Sequence, residues 1–87
     1  MLTTEEKAKL IEKYQLHNED TGSPAVQIAL LSEEISRLQT HLKRHSGDVS
    51  SKRGLLKMVS KRRKFLNYLR ETNASQYARI VKNLGLK

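Results

Sequence analysis

Residues 41–54 combine positive charge with short hydrogen-bonding side chains in a single segment. His41, Asp48 and Ser51 carry their donors and acceptors close to the backbone, which suits a shallow surface better than a deep groove. The minor groove of A-form RNA is wide and shallow and displays 2′-hydroxyl groups and base edges. A carboxylate can accept from a guanine amino group, and a serine hydroxyl can bond a 2′-hydroxyl. The segment therefore predicts an RNA minor-groove contact by His41, His45, Asp48 and Ser51.

Cations occupy the same segment, and they are of the kind that the phosphate backbone of RNA attracts. The alternative is an ordinary solvated turn, in which Gly47 relieves the backbone and Asp48 or Ser50 caps the next helix. The charge of the surrounding chain favours the RNA hypothesis. The cations predicted to contact phosphate here are Lys43, Arg44, Lys52 and Arg53.

The charge of the chain is large and unevenly distributed. The 87 residues carry a formal net charge of +8 and have a pI of about 10.1, which indicates an anionic partner. Residues 1–40 have a net charge of −3 and residues 41–87 a net charge of +11, so the binding surface is expected mainly on the second half. The chain has no cysteine, no signal-peptide pattern and no apolar run of the ~20 residues that a membrane span needs. We therefore expect a cytoplasmic protein of one domain, residues 1–87, with no membrane partner.

Helix caps and apolar spacing predict four helices and no strand. Thr3 and Glu6 form a capping box before a short helix over about 4–15, which must dock or remain mobile because it is weakly apolar. Ser23 and Pro24 begin a second helix that continues to the turn near residue 45. A third helix is predicted over about 49–72, and a second capping box of Asn73 and Gln76 opens a last helix to about residue 84.

Apolar residues recur at steps of three and four along the second and third helices, which predicts a long antiparallel hairpin. Arg62 falls on the seam of the third helix, where its stem is expected to pack while its guanidinium reaches water. Gly54 costs a helix about 1 kcal/mol relative to alanine, so we expect another helix or an RNA backbone to approach it closely. The seam residues are Ile28, Leu31, Ile35, Leu38 and Leu42 on one helix and Leu55, Val59, Leu66 and Leu69 on the other.

A second candidate surface follows the third helix. Lys57, Lys61, Lys64 and Tyr68 are spaced by four, three and four residues and therefore share one face. A run of charge is usually a solvated face, but this one lies on the basic half and ends in a ring that can stack on a base or sugar. We predict that the lysines contact phosphate.

A polar stripe on the second helix places a contact point at each of its ends. Gln27, Glu34 and His41 are seven residues apart and lie nearly above one another. Gln27 is close to Thr21 and Gly22 at the beginning of the helix, whereas His41 is at its end. Glu34 is assigned to a solvated face, because its carboxylate would repel phosphate.

Catalytic and metal-binding patterns are weak. His41 and His45, with Asp48, could ligate a metal, but there is no cysteine and cations flank the group, so no metal site is predicted. The chain has no glycine-rich phosphate loop and no nucleophile–base arrangement. We predict that it is not an enzyme and uses no cofactor.

Together, the motifs of the chain resemble the bacterial small-subunit ribosomal protein fifteen family. The likeness extends over essentially the whole chain, and the motifs are specific as a set although each alone is weak. They occupy residues 20–29, 41–45, 48–56, 62–69 and 84–87.

The resemblance implies an all-α fold in which the hairpin and the C-terminal helix form a three-helix bundle and the first helix is variably placed. It also implies a structural protein of the ribosome, in the cytoplasm, that binds 16S rRNA early in assembly at a three-way junction and at a nearby minor-groove G–U/G–C site. Such a protein helps other small-subunit ribosomal proteins to join and approaches large-subunit rRNA as part of a bridge.

The resemblance also assigns residues to the two RNA sites. Thr21, Gly22, Gln27 and Tyr68 would meet the junction, and His41, Asp48 and Ser51 would read the minor groove. Members of the family commonly have Arg where this chain has Glu34, so that junction contact is not carried over. Affinity at the junction would then depend more on Lys64 and its neighbours.

Two hypotheses from other classes compete with RNA binding. The apolar seam of the second helix could pair with a second copy of the chain, whereas the RNA hypothesis expects a monomer when free. A helix could instead enter the major groove of DNA, but no short recognition helix with base-reading residues stands out.

Overall fold

The chain folds into four α-helices in a computed structural model that describes residues 2–15 and 22–86. The helices are α1 (Thr4–Tyr14), α2 (Pro24–Arg44), α3 (Val49–Thr72) and α4 (Ala74–Leu84). No strand occurs in these two ranges, so the all-α prediction is confirmed. No helix within them combines the length and the apolar composition that crossing a membrane requires.

Side-chain caps explain where α1 and α2 begin. The N–H of Thr3 donates to Oε1 of Glu6 over 3.0 Å, and the N–H of Glu6 donates to Oγ1 of Thr3 over 3.2 Å, which completes the predicted capping box. Oγ of Ser23 accepts from the N–H of Val26 over 3.3 Å. Ser23 directly precedes Pro24, the first residue of α2.

Asn73 separates α3 from α4 without an intervening loop. Its N–H donates to the carbonyl of Leu69 over 2.8 Å and closes α3, while its Oδ1 accepts from the N–H of Gln76 over 3.1 Å and opens α4. The prediction of a full capping box was therefore wrong in one half, because the N–H that Gln76 would bond is already used by α3. A single residue thus serves as both caps.

Helix α2 is the centre of the fold, since it contacts α1, α3 and α4. The core surrounds its first half, where Ala25, Val26 and Ile28 have no exposed surface. Leu69 of α3 and Ile80 of α4 complete this core. The hairpin and α4 form the three-helix bundle, in which the α2 seam packs against α3 of the same chain.

Helix α1 is docked on α2. Tyr14 is 3% exposed and belongs to the core. The guanidinium of Arg37 bonds both carboxylate oxygens of Glu6 and also donates through Nε to Glu33 over 3.2 Å. Exposed ion pairs contribute at most about 1 kcal/mol, whereas burial of a large apolar side chain contributes ~2–3 kcal/mol. Tyr14 therefore holds α1 more strongly than the ion pairs do.

Gly54 is not required by helix packing. A Cβ built on this residue would lie 3.9 Å from Cδ2 of Leu38, which is an ordinary van der Waals contact. The close approach of a neighbouring helix, one of the two reasons expected from the sequence, therefore does not explain the glycine.

We expect Gly54→Ala to raise the free energy of unfolding by about 1 kcal/mol, because alanine restricts the unfolded chain and fits the space available. Urea denaturation of the two proteins measures the difference. Gly85→Ala is the matched control: Gly85 has φ +66° at the end of α4, so alanine there should destabilise the fold. A loss of stability in Gly54→Ala would contradict the conclusion that a Cβ at this residue fits beside Leu38.

Candidate nucleic-acid interface

The turn between α2 and α3 is short and internally bonded. The N–H of His45 donates to the carbonyl of His41 over 2.9 Å, and the N–H of Asp48 donates to the carbonyl of His45 over 3.1 Å. Gly47 does not adopt the left-handed conformation, so the turn does not depend on glycine there. The turn therefore holds the end of α2 and the beginning of α3 in a fixed relation.

The four residues predicted to read a minor groove come together at this turn, and we call them the tip cluster: His41, His45, Asp48 and Ser51. Oδ1 of Asp48 accepts from the N–H of Ser51 over 3.0 Å, and Oδ2 accepts from the Ser51 hydroxyl over 2.6 Å. Nε2–H of His41 donates to the same Oδ2 over 2.9 Å, since an ionised carboxylate has no proton to give. The ring of His45 lies 4.7 Å from that of His41, centroid to centroid.

The tip cluster presents acceptors to solvent. The hydroxyl hydrogen of Ser51 is used by Asp48, so the lone pairs of its Oγ remain open, and Asp48 has further acceptor capacity because a carboxylate can accept about four hydrogen bonds. The side chains of His41 and Asp48 are 42% and 33% exposed. Guanine amino groups and 2′-hydroxyls are donors within reach of a shallow groove. The alternative of a solvated turn correctly predicts that Asp48 caps α3. It does not explain why these acceptors are exposed.

Hydrogen bonds within the tip cluster stabilise the ionised form of the Asp48 carboxylate. The Ser51 hydroxyl and N–H, followed by His41, hold the pKa of Asp48 well below its usual range. The carboxylate therefore remains ionised through the neutral range. Four exposed cations lie close to it in sequence, and none forms an ion pair within residues 2–15 and 22–86: Lys43, Arg44, Lys52 and Arg53.

The basic stripe of α3, which consists of Lys57, Lys61, Lys64 and Tyr68, is continuous and exposed. Lys61, Lys64 and Tyr68 line a hollow of about 510 Å³ together with Gly22. Tyr68 is 57% exposed, so the face of its ring is accessible for stacking. The structure thus brings three of the predicted junction residues, Gly22, Lys64 and Tyr68, to one place.

The apolar part of this surface was not predicted from the sequence. Pro24 and Phe65 form further walls of the hollow beside Tyr68. Leu56 is 69% exposed and lines a neighbouring hollow with Lys57 and Lys61. The sequence indicates Pro24 only as a helix start. It indicates Phe65, next to the seam residue Leu66, only as an apolar residue that widens the seam. Leu56 lies outside the apolar seam of α3. This position is the feature of the sequence that could have indicated an exposed apolar side chain.

The remaining predicted residues lie along α2 or outside the described ranges. Gln27 is half-buried near the beginning of α2. Glu34 is also half-buried and lines a hollow with His41 and Ser51, so it faces the approach to the tip cluster instead of lying on an open solvated face. Thr21 lies outside the residues that the structure describes.

Two groups of candidate residues therefore lie at opposite ends of α2, a helix of 21 residues. At 1.5 Å per residue the two ends are about 30 Å apart. In the described ranges no set of three histidine, aspartate or glutamate side chains comes close enough to hold a metal ion.

Asp48 should make stability depend on pH in acid. A carboxylate whose pKa is lowered by folding stabilises the fold fully above its unfolded pKa of about 3.9. That contribution is lost as the pH falls through the lower pKa of the folded state. We expect the melting-temperature difference between wild type and Asp48→Asn to be constant from about pH 7 to 5 and to shrink below about pH 4. Thermal unfolding followed by circular dichroism measures it, and a difference that persists unchanged to pH 2 would contradict the assignment.

Comparison with known proteins identifies the family. The model of the family described as ribosomal protein S15 matches residues 7–87. The chain is 55% identical over 86 residues to the small ribosomal subunit protein uS15 of Natranaerobius thermophilus, an alignment that covers 99% of this chain and 97% of that protein. It is 56% identical over 86 residues to uS15 of Carboxydothermus hydrogenoformans, with the same coverage, and 52% identical over 87 residues to uS15 of Aquifex aeolicus, where 100% of this chain and 97% of the relative are covered. Proteins of this family are structural, so the prediction that the chain is not an enzyme is confirmed. The chain belongs to the ribosomal protein S15 family.

Proposed function

We propose that this protein is a structural constituent of the small ribosomal subunit that binds 16S rRNA at a three-way junction and at a nearby minor-groove G–U/G–C site. The names of its relatives support the small-subunit assignment. The observation that carries the RNA-binding proposal is the tip cluster, in which side chains from two helices are tied together with their acceptors exposed.

Affinity comes from cations along the hairpin. Each lysine or arginine that neutralises a phosphate releases a bound counterion, so binding weakens as salt rises. The basic stripe lies on exposed surface along α3, and the four tip cations lie on exposed surface where α2 ends and α3 begins. This contribution does not depend on sequence, and it positions the protein on the RNA.

Discrimination comes from the tip cluster. The Asp48 carboxylate accepts from a guanine amino group, and Ser51 and His41 bond neighbouring groups of the minor groove. Hydrogen bonds within the cluster fix these side chains before RNA arrives, so less conformational entropy is lost on binding. A good base-specific contact contributes about 1–3 kcal/mol of discrimination.

The other end of the hairpin meets the junction. Tyr68 stacks on a base or sugar beside Gly22, Lys64 contacts phosphate, and Gln27 and Thr21 contribute polar contacts. Stacking on an aromatic side chain contributes about 1–3 kcal/mol per base. Glu34 lines a hollow with His41 and Ser51 and supplies no cation to the junction, so Lys64 and Tyr68 carry more of the affinity there.

The mechanism is architectural. A stiff hairpin holds two contact sites about 30 Å apart, so binding favours the arrangement of RNA helices that satisfies both sites. The whole chain, residues 1–87, acts as one domain and as a monomer when free. By fixing the RNA it allows other small-subunit ribosomal proteins to join, and in the assembled cytoplasmic ribosome it contributes to a bridge with large-subunit rRNA.

Asp48→Ala tests the readout. We expect it to weaken binding to an rRNA fragment that contains the junction and the G–U/G–C element by about tenfold or more. Binding to a random RNA duplex of equal length should change far less, because that binding depends on phosphates. Fluorescence anisotropy at one fixed salt concentration gives both affinities.

Two further variants control this experiment. Asp48→Asn keeps a side chain that can cap α3 but loses the negative charge, so it separates readout from folding. Ser50→Ala removes an exposed hydroxyl one residue before Ser51 and should leave both affinities unchanged. Equal losses by Asp48→Ala on the two RNAs would reject the readout role.

Lys61→Ala tests phosphate contact by the basic stripe. We expect weaker binding to every RNA and a plot of log affinity against log salt concentration that is shallower by about 1. Titrations at four or more salt concentrations measure this slope. Lys9→Ala, which removes an exposed lysine of α1 outside the proposed surface, is the control. An unchanged slope in Lys61→Ala would falsify phosphate contact there.

A further inference from the structure

We propose that a second cationic surface, the groove between α3 and α4, binds a phosphate group of another RNA strand. The groove has a volume of about 340 Å³, and we call it the arginine groove. Arg62, Arg63 and Arg70 of α3 line it, and Leu66, Tyr77 and Leu86 supply apolar walls. The inference goes beyond the proposed function, because it requires neither the junction contacts nor the tip cluster.

The arginine groove faces away from the basic stripe. Arg63 follows Lys61 by two residues, and Arg70 follows Tyr68 by two. Residues two apart in an α-helix are separated by about 200° around its axis. An RNA helix seated on the basic stripe therefore leaves the arginine groove accessible to a different strand.

The part of the chain that the structure describes places no acidic side chain in the lining of the arginine groove. The residues that line it include three guanidinium groups and no carboxylate. Within the described part of the chain none of the three forms an ion pair, whereas Arg37 on α2 is paired with both Glu6 and Glu33. Arg37, which joins α1 to α2, therefore has its charge balanced by carboxylates, whereas the described residues supply no carboxylate partner to the three arginines of the groove. The positive charge in the groove is complementary to an anion, and no acidic side chain of residues 2–15 and 22–86 lines it.

Arg62 is the most constrained of the three arginines. Its Nη1 donates to Oγ of Ser32 on α2 over 3.2 Å in a partly buried position, which restricts the guanidinium. Partial burial lowers the pKa of Arg62, which means that its charged form is somewhat less well solvated than that of a fully exposed arginine. A neutral hydroxyl is a weak partner for such a charge, and an anion in the groove would interact with it more strongly than with an exposed arginine.

The shape of the groove favours a nucleotide over an acidic peptide. The planar fork of a guanidinium matches two oxygens of one phosphate. Tyr77 and the two leucines offer apolar surface for a ribose or base next to that phosphate, and Asn67 lines the same groove with an amide that can bond a base edge. A carboxylate side chain would use the arginines but would leave these walls unused.

The experiment uses full-length protein with its first RNA surface occupied. Unlabelled rRNA fragment is added to saturation, and a fluorescently labelled single-stranded RNA of mixed sequence is then titrated. We expect the complex to bind this second RNA. The double variant Arg63→Gln with Arg70→Gln should weaken that binding about tenfold and reduce its salt slope by about 1.4, the value for two phosphate contacts on a single strand. Affinity for the first fragment should stay within about threefold.

A matched variant controls for net charge. Arg79→Gln with Lys82→Gln removes two exposed cations of α4 that do not line the arginine groove, and it should leave binding of the second RNA nearly unchanged. Equal losses in the two double variants would overturn the proposal. Arg62→Gln is tested separately, and thermal unfolding shows whether a loss of binding in this variant reflects loss of the fold.

Competitors identify the chemistry. Inorganic phosphate at equal phosphate concentration and a hexaglutamate peptide should each displace the second RNA poorly. Full displacement by inorganic phosphate would show that the groove binds a free anion and not RNA. Displacement by the peptide equal to that by RNA would indicate an acidic protein partner. Either result overturns the RNA assignment. If the first fragment fails to bind, the proposed function fails, and the same variants are compared on the free protein to judge the groove independently.

Discussion

The packing of helix α2 is the constraint on which the structure depends. Its first half is buried against the other three helices, and two alanines on that half, Ala25 and Ala29, are almost completely enclosed. Small side chains let the neighbouring helices approach closely at this end. The seam residues nearer the turn, Leu38 and Leu42, are only half-buried. The bundle is therefore anchored at one end, and the hairpin extends from it into an overall shape of 40 × 28 × 18 Å.

Because the core thins towards the turn, polar contacts must hold that end together. Asp48 is central to them, since it caps α3 and accepts from both Ser51 and His41. The same bonds that order the turn also orient the acceptors that we propose to read RNA. Local order and recognition are thus produced by one set of atoms, and a change that loosens the turn would also misplace the acceptors.

The position of the apolar seam divides the charge of α3. The seam faces α2 and α4, so the cations on the rest of the helix fall on two flanks. One flank is the basic stripe and the other borders α4 as the arginine groove. A net charge of +8 on a chain of 87 residues is therefore not spread evenly over the surface. Two anionic segments can approach α3 from nearly opposite sides, which suits a protein placed among several RNA helices.

Most of the features that could be predicted from the sequence depend on interactions between residues close together in the chain. Helix bounds followed from caps such as Thr3 and Ser23, whose bonds join residues three apart. The tip cluster was predictable for the same reason, because His41, Asp48 and Ser51 lie seven and three residues apart across one short turn. The basic stripe followed from helical periodicity alone.

Contacts between distant residues were decided only by the tertiary structure. The pairing of Arg37 with Glu6 joins residues 31 apart, and that of Arg62 with Ser32 joins residues 30 apart. The arginine groove requires α4 to pack beside α3. The sequence by itself determined which residues form helices and which face of each helix is charged, since both depend on neighbours along the chain. Which charges are paired, and which remain open to a partner, depended on how the helices pack, because that packing brings residues distant in sequence within a few ångströms of one another.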